Sequence, residues 1–160
     1  MKESSLEELK KDYKKIEQKY KLPSFQELNE DFDIEKVAER ETDMLLREIR
    51  KTIMDKVIAY LRFIEMLLNP SNAPMFFFAL VKSLKQDDKK ELEKIYGKIC
   101  SLEIDAVELD CQYKENKEAE FIKKINKDWK TIKKDVLKIV VILKKNWHQK
   151  TKNSEKGYLG

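Results

Sequence analysis

The sequence predicts an all-α fold, an antiparallel bundle of three long helices plus two or three shorter ones. Three observations predict it. Apolar side chains recur every three or four positions through most of the 160 residues, which lines them up along one side of a helix. Residues that accept hydrogen bonds from free amides (Ser5, Ser24, Asp33, Asp88) stand where several of these stripes begin. No window resembles a set of strands: the alternation Leu102-Glu103-Ile104-Asp105 lies inside a helical stripe.

The first helix is expected over residues 6–20, where Leu6, Leu9, Tyr13, Ile16 and Tyr20 share a face. Ser5 and Glu8 have capping-box spacing at its start, and Pro23 ends it. Ser24 and Glu27 then open a short helix carrying Phe25, Leu28 and Phe32. Asp33 is placed as the cap of a long helix over residues 34–68, with a polar gap at Glu41 and Thr42. Unbroken, that helix would be about 50 Å long. The segment Asn69-Pro70-Ser71-Asn72-Ala73-Pro74 has strong turn chemistry, and Pro74 suits the first turn of the next helix.

Residues 75–84 are apolar nearly all round and include Phe76, Phe77 and Phe78, which predicts a helix buried on several sides. After a polar break at residues 85–88, Asp88 and Glu91 restart a helix whose stripe is Leu92, Ile95, Ile99, Leu102, Ala106, Leu109 and Tyr113. Gly97 interrupts it and is expected to admit a close neighbour, with residues 76–78 as the candidate. A turn is placed at residues 114–117. The last helix carries Ile122, Ile125, Trp129, Ile132, Val136, Ile139 and Leu143. The whole is read as one domain, residues 1–148, followed by a frayed tail at 149–160. Three long helices of similar reach suit coiled-coil-like packing.

Composition removes most enzyme classes. Only Gly97 lies in the body of the chain, and Gly-rich phosphate loops need several glycines. His148 is the single histidine, so triads and histidine-rich metal or haem sites lack material, and it is read as a surface residue. No catalytic residue, cofactor or small-molecule substrate is expected. Cys100 and Cys111, eleven apart on one helix, would have Cα atoms about 16 Å apart, too far for a disulfide. They are read as small core hydrophobes in a reducing compartment. The start MKESSLEELKK has no apolar segment of a secretory leader, and the longest uncharged apolar run, residues 75–81, is too short to span a bilayer. A cytoplasmic protein is expected.

Charge is unevenly spread. The net charge is +4, but residues 1–113 carry 20 Lys+Arg against 24 Asp+Glu, and residues 114–160 carry 14 Lys against 6 acids. Arginine occurs only at Arg40, Arg47, Arg50 and Arg62, so the basic end lacks the guanidinium fork of specific phosphate recognition. Lys123, Lys127, Lys130, Lys134 and Lys138 form a basic face on the last helix, a candidate for an anionic membrane or nucleic acid. The competing reading is a core helix coated with lysine.

Two pairs of carboxylates recur at a spacing of seven: Glu41 with Glu48, and Glu103 with Asp110. Facing carboxylates in a bundle can hold metals, and an all-oxygen set suits Mg²⁺ or Mn²⁺. The competing reading is two solvated faces. The segment Glu39-Arg40-Glu41-Thr42-Asp43 resembles the acidic motif of PhoU-like phosphate-signalling helical proteins, which place Glu and Asp four apart on metal-binding helices. Glu39 and Asp43 keep that spacing, with Arg47 one turn on. The resemblance implies a divalent metal on an acidic helix face, although the family's second acidic motif is not recognisable here.

The stretch YLRFIEMLLNPSNAPMFFFAL (residues 60–80) resembles small uncharacterised helical-bundle proteins of archaea. That resemblance implies a cytoplasmic bundle and supplies no active site. Met66, Met75, Phe76, Phe77 and Phe78 in the same stretch could line a groove for an amphipathic partner helix. The functional expectation is therefore a non-catalytic interaction or scaffolding module, its partner a protein or a second copy. The alternatives are a ligand- or metal-binding regulatory bundle and peripheral attachment to anionic membrane or nucleic acid.

Overall fold

The computed structural model describes the backbone of residues 2–157 and the side chains of residues 5–152. It is all-α: α1 (Lys2–Tyr20), α2 (Phe25–Phe32), a 3-10 helix (Ile34–Glu39), α3 (Leu45–Leu68), a second 3-10 turn (Pro70–Asn72), α4 (Met75–Val81), α5 (Gln86–Cys111) and α6 (Glu115–Gly157). No strand occurs among the described residues. The chain divides into two compact units, Met1–Ala59 with Ser101–Trp129, and Tyr60–Cys100 with Lys130–Gly160. We call them unit 1 and unit 2.

The core of unit 1 follows the expected stripes. Leu9 and Tyr13 of α1, Leu28 and Phe32 of α2, Ile49, Ile53 and Val57 of α3, Leu102 and Leu109 of α5, and Ile122, Ile125 and Trp129 of α6 are all buried. Phe32 packs on Trp129 with ring centroids 5.4 Å apart. The hydroxyl of buried Tyr13 donates to the Pro23 carbonyl at 2.6 Å, which fixes the α1–α2 corner and satisfies an otherwise costly polar atom. Ser24 caps α2 as its spacing predicts, its Oγ accepting from the Glu27 amide at 3.2 Å. In unit 2, Leu61, Ile64 and Leu67 of α3, Phe77 and Leu80 of α4, Leu92, Ile95 and Ile99 of α5, and Ile132, Val136, Ile139 and Leu143 of α6 are buried.

Several local expectations are corrected. α1 begins at Lys2, so Ser5 and Glu8 lie inside the helix and form no capping box at its start. The helix expected over residues 34–68 is broken. Asp33 takes a left-handed conformation (φ 53°) and closes α2 through its amide to the Asn29 carbonyl at 3.0 Å. Asp tolerates that region better than most residues. A 3-10 helix comes next, Arg40 is extended, and the Thr42 hydroxyl accepts from the Met44 amide at 2.9 Å. That local bond competes with helix where the apolar stripe lapses. α3 accordingly has 24 residues, about 36 Å. The three long helices are of unequal length, 24, 26 and 43 residues.

α4 is not enclosed on several sides: Phe77 and Leu80 are buried, but Phe76 and Phe78 are exposed, because seven residues make only two turns and one buried flank. The turn before the last helix falls at residues 112–114, and α6 starts at Glu115. α6 runs past residue 148 to Gly157, and residues 158–160 lie outside the described residues. Cys111 is exposed and Cys100 half-buried, so neither is a full core residue. Gly97 faces open space: a Cβ there would meet no atom within 4 Å, so no close neighbour explains the glycine.

Candidate functional site

Two places in the molecule gather unusual chemistry, one in each unit. In unit 1 the core encloses charge. Arg50 Nε donates to Glu118 Oε2 at 2.6 Å, and both side chains are buried. Arg50 also donates through Nη2 to Asp110 Oδ1 at 2.6 Å, and Arg47 Nη2 approaches the same oxygen at 3.5 Å. Burial works against the Arg50 charge, but the bonds to Glu118 and Asp110 outweigh it and push its pKa up. The Arg50 hydrogen bond holds the Asp110 carboxyl below its ordinary value. Glu118 Oε1 and Arg47 Nε are buried without a hydrogen-bond partner. Two turns further along α6, buried Asn126 donates through Nδ2 to Glu27 Oε1 at 2.9 Å.

Neither Arg50 nor Glu118 stood out in the sequence, yet a signal was present. Arg50 occupies the stripe position between Leu46 and Ile53, and Glu118 the one before Ile122 and Ile125. A charge in register with an apolar stripe is either a break in the core or a buried pair. Here two such charges meet.

The expected acidic candidates do not form the paired helix faces their spacing suggests. Glu41 lies outside α3 and so shares no helix face with Glu48. Glu48 is bound by Arg40 at 2.8 Å and Lys51 at 3.3 Å; burial raises its pKa, but those two bonds outweigh it and hold it low. Glu103 and Asp110 do share α5, but Asp110 is engaged by the arginines. Glu39 ends the 3-10 helix and Asp43 lies in the break after it, so their spacing of four does not put them on one helix face as the PhoU-like motif requires. With Glu8, Asp12 and Glu41 they line an open cleft of about 740 Å³ beside α1. Among the described residues no group of three His, Cys, Asp or Glu is arranged to hold a metal ion.

In unit 2 the structure brings the apolar candidates of residues 75–78 together with a tryptophan from the last helix. Met75 is 86% exposed, Phe76 48%, Phe78 42% and Trp147 39%. Buried Phe77 is the footing: its ring lies 4.6 Å from Phe76 and 6.1 Å from Phe63. Phe76 meets Trp147 edge to face at 6.0 Å. Beside Trp147 a cleft of about 290 Å³ is bounded by Leu80, Lys82, Ser83, Asn146 and Lys150, and Asn146 Nδ2 donates to the Ser83 carbonyl at 3.0 Å across it. Met66 is half-buried on α3. Of the basic-face candidates, Lys123, Lys127, Lys130, Lys134 and Lys138 are all exposed along α6, and Lys138 pairs with Asp135 at 3.2 Å. His148 is exposed beside the patch.

Among the described residues no helix is long and apolar enough to cross a membrane. No protein-family model, curated protein or solved structure matches the chain.

Proposed function

We propose that the chain is a non-catalytic interaction and scaffolding module that works through the aromatic face formed by α4 and α6 in unit 2. The partner is another protein or a second copy of the chain. The observation that carries this reading is the exposure of Met75, Phe76, Phe78 and Trp147 on a buried footing. A packed aromatic set that stays in water loses hydrophobic stabilisation, and such sets mark contact surfaces. Phe77 anchors the segment, so the face is ordered before a partner arrives, which lowers the entropy lost on docking.

The same proposal takes the helix stretches within each unit to pack as an antiparallel, coiled-coil-like bundle, supported by the buried three-four stripes of α3, α5 and α6. It places the chain in a reducing cytoplasm, which two free thiols suit. The likeness of residues 60–80 to small archaeal helical proteins belongs to this reading as well.

Sedimentation equilibrium over a range of concentrations tests the self-association form. The wild-type chain is expected to associate, and Phe76→Ser, with its helical circular dichroism retained, to remain monomeric. A wild-type chain that is monomeric throughout, or a Phe76→Ser chain that associates equally well, would remove that form.

A further inference from the structure

The chain segments that form the α4 and α6 face carry charge of one sign and from one residue type. No acidic residue occurs between Glu65 and Asp87, or between Asp135 and Glu155. In those stretches Lys82, Lys85, Lys144, Lys145, Lys150 and Lys152 are exposed. All four arginines of the chain lie outside them. Lys82 and Lys150 border the cleft beside Trp147. Lysine without arginine gives attraction to a diffuse negative surface, whereas a protein carboxylate is best matched by the guanidinium fork.

The apolar members fit the same surface. Met75 protrudes at the start of α4, separated by two residues from the Pro70–Asn72 turn, with Phe76 and Phe78 in the same first turn of the helix. Tryptophan, with an apolar ring and one N–H, favours the level of lipid headgroups.

We propose that this face docks the chain onto an anionic lipid bilayer. Met75, Phe76 and Phe78 enter the boundary between headgroups and acyl chains, Trp147 lies at that boundary, and Lys82 and Lys150, which border the cleft beside it, face the headgroups. The two signals act together, since neither a few apolar side chains nor a few lysines alone hold a protein at a membrane. The inference rests on the reading that the aromatic face is the working surface, and not on that surface's partner being a protein.

Trp147 is the reporter, because the other tryptophan, Trp129, is buried in the core of unit 1. The full chain is titrated with vesicles of phosphatidylcholine containing phosphatidylserine, and with phosphatidylcholine alone. A blue shift of Trp147 emission is expected with the anionic vesicles only. It should weaken as salt rises and be absent in Trp147→Phe. Lys82→Ala with Lys150→Ala should weaken binding about thirty-fold. Met75→Ser, a change at a largely exposed position, should weaken it while keeping the helical circular dichroism. Lys123→Ala with Lys127→Ala, in unit 1, should not. No shift with anionic vesicles overturns the proposal, as does equal weakening by the unit 1 pair. If vesicles do not bind but Phe76→Ser abolishes self-association, the face is a protein interface and only the membrane inference falls. If Phe76→Ser alters neither vesicle binding nor self-association, both readings fall.

Discussion

At the scale of single residues, Arg50 and Glu118 tie α3 to α6 within unit 1. Each is charged, each is buried, and the 2.6 Å bond between them is what makes that burial tolerable. Replacing Glu118 by Leu leaves the guanidinium with only half-exposed Asp110 and Arg50→Met leaves a carboxylate in the core with none, so each single change is expected to cost about 3 kcal/mol in denaturant unfolding. The double change Arg50→Met with Glu118→Leu should recover most of that loss, since a matched apolar pair needs no counter-charge. A Glu118→Leu chain as stable as wild type would show that the pair is not enclosed. The partnership itself was beyond the sequence. That both residues stand in register with apolar stripes is legible; that two stripes 68 residues apart in the chain bring them together is a property of packing.

At the scale of elements, periodicity reads well where burial is one-sided and badly where a helix must begin, break or thin out. The stripes of α5 and α6 were legible to the residue, Tyr113 apart, because each apolar side chain on them has a place in a core. The polar gap at Glu41 and Thr42 was visible too, but its consequence was not: a short lapse can be bridged by helix propensity or cut by local side-chain bonds, and here the Thr42 bond cuts it. The exposure of α4 is hidden for the reverse reason, since an all-apolar run gives no periodicity and cannot say which flank faces water. Gly97 yields a prediction on an element. It lies in the middle of a 26-residue helix, exposed, with room for a methyl group. Gly97→Ala should therefore stabilise the chain by about 1 kcal/mol, seen as a higher denaturant midpoint with an unchanged slope. A loss of stability would show that the space beside Gly97 is filled in solution.

At the scale of the molecule, the division into two units was not legible, because the stripes of α3, α5 and α6 pass through residues 59–60, 100–101 and 129–130 without a change of step. The uneven distribution of charged groups gives the units different responses to acid. Asp110 and Glu48, the carboxylates held low by arginine and lysine, both belong to unit 1. A carboxylate whose folded pKa lies below its unfolded value contributes stability that is present above the unfolded value and is lost as the pH falls through the folded one. Acidification through and below the ordinary carboxylate range should therefore loosen unit 1 first. The two tryptophans report separately, Trp129 from the core of unit 1 and Trp147 from the exposed face of unit 2. In an acid titration followed by indole resonances, Trp129 is expected to change at a higher pH than Trp147, and Asp110→Asn should narrow the interval by removing one of the two groups. Simultaneous loss of both signals, unaffected by Asp110→Asn, would show that the charge cluster of unit 1 does not set its acid stability.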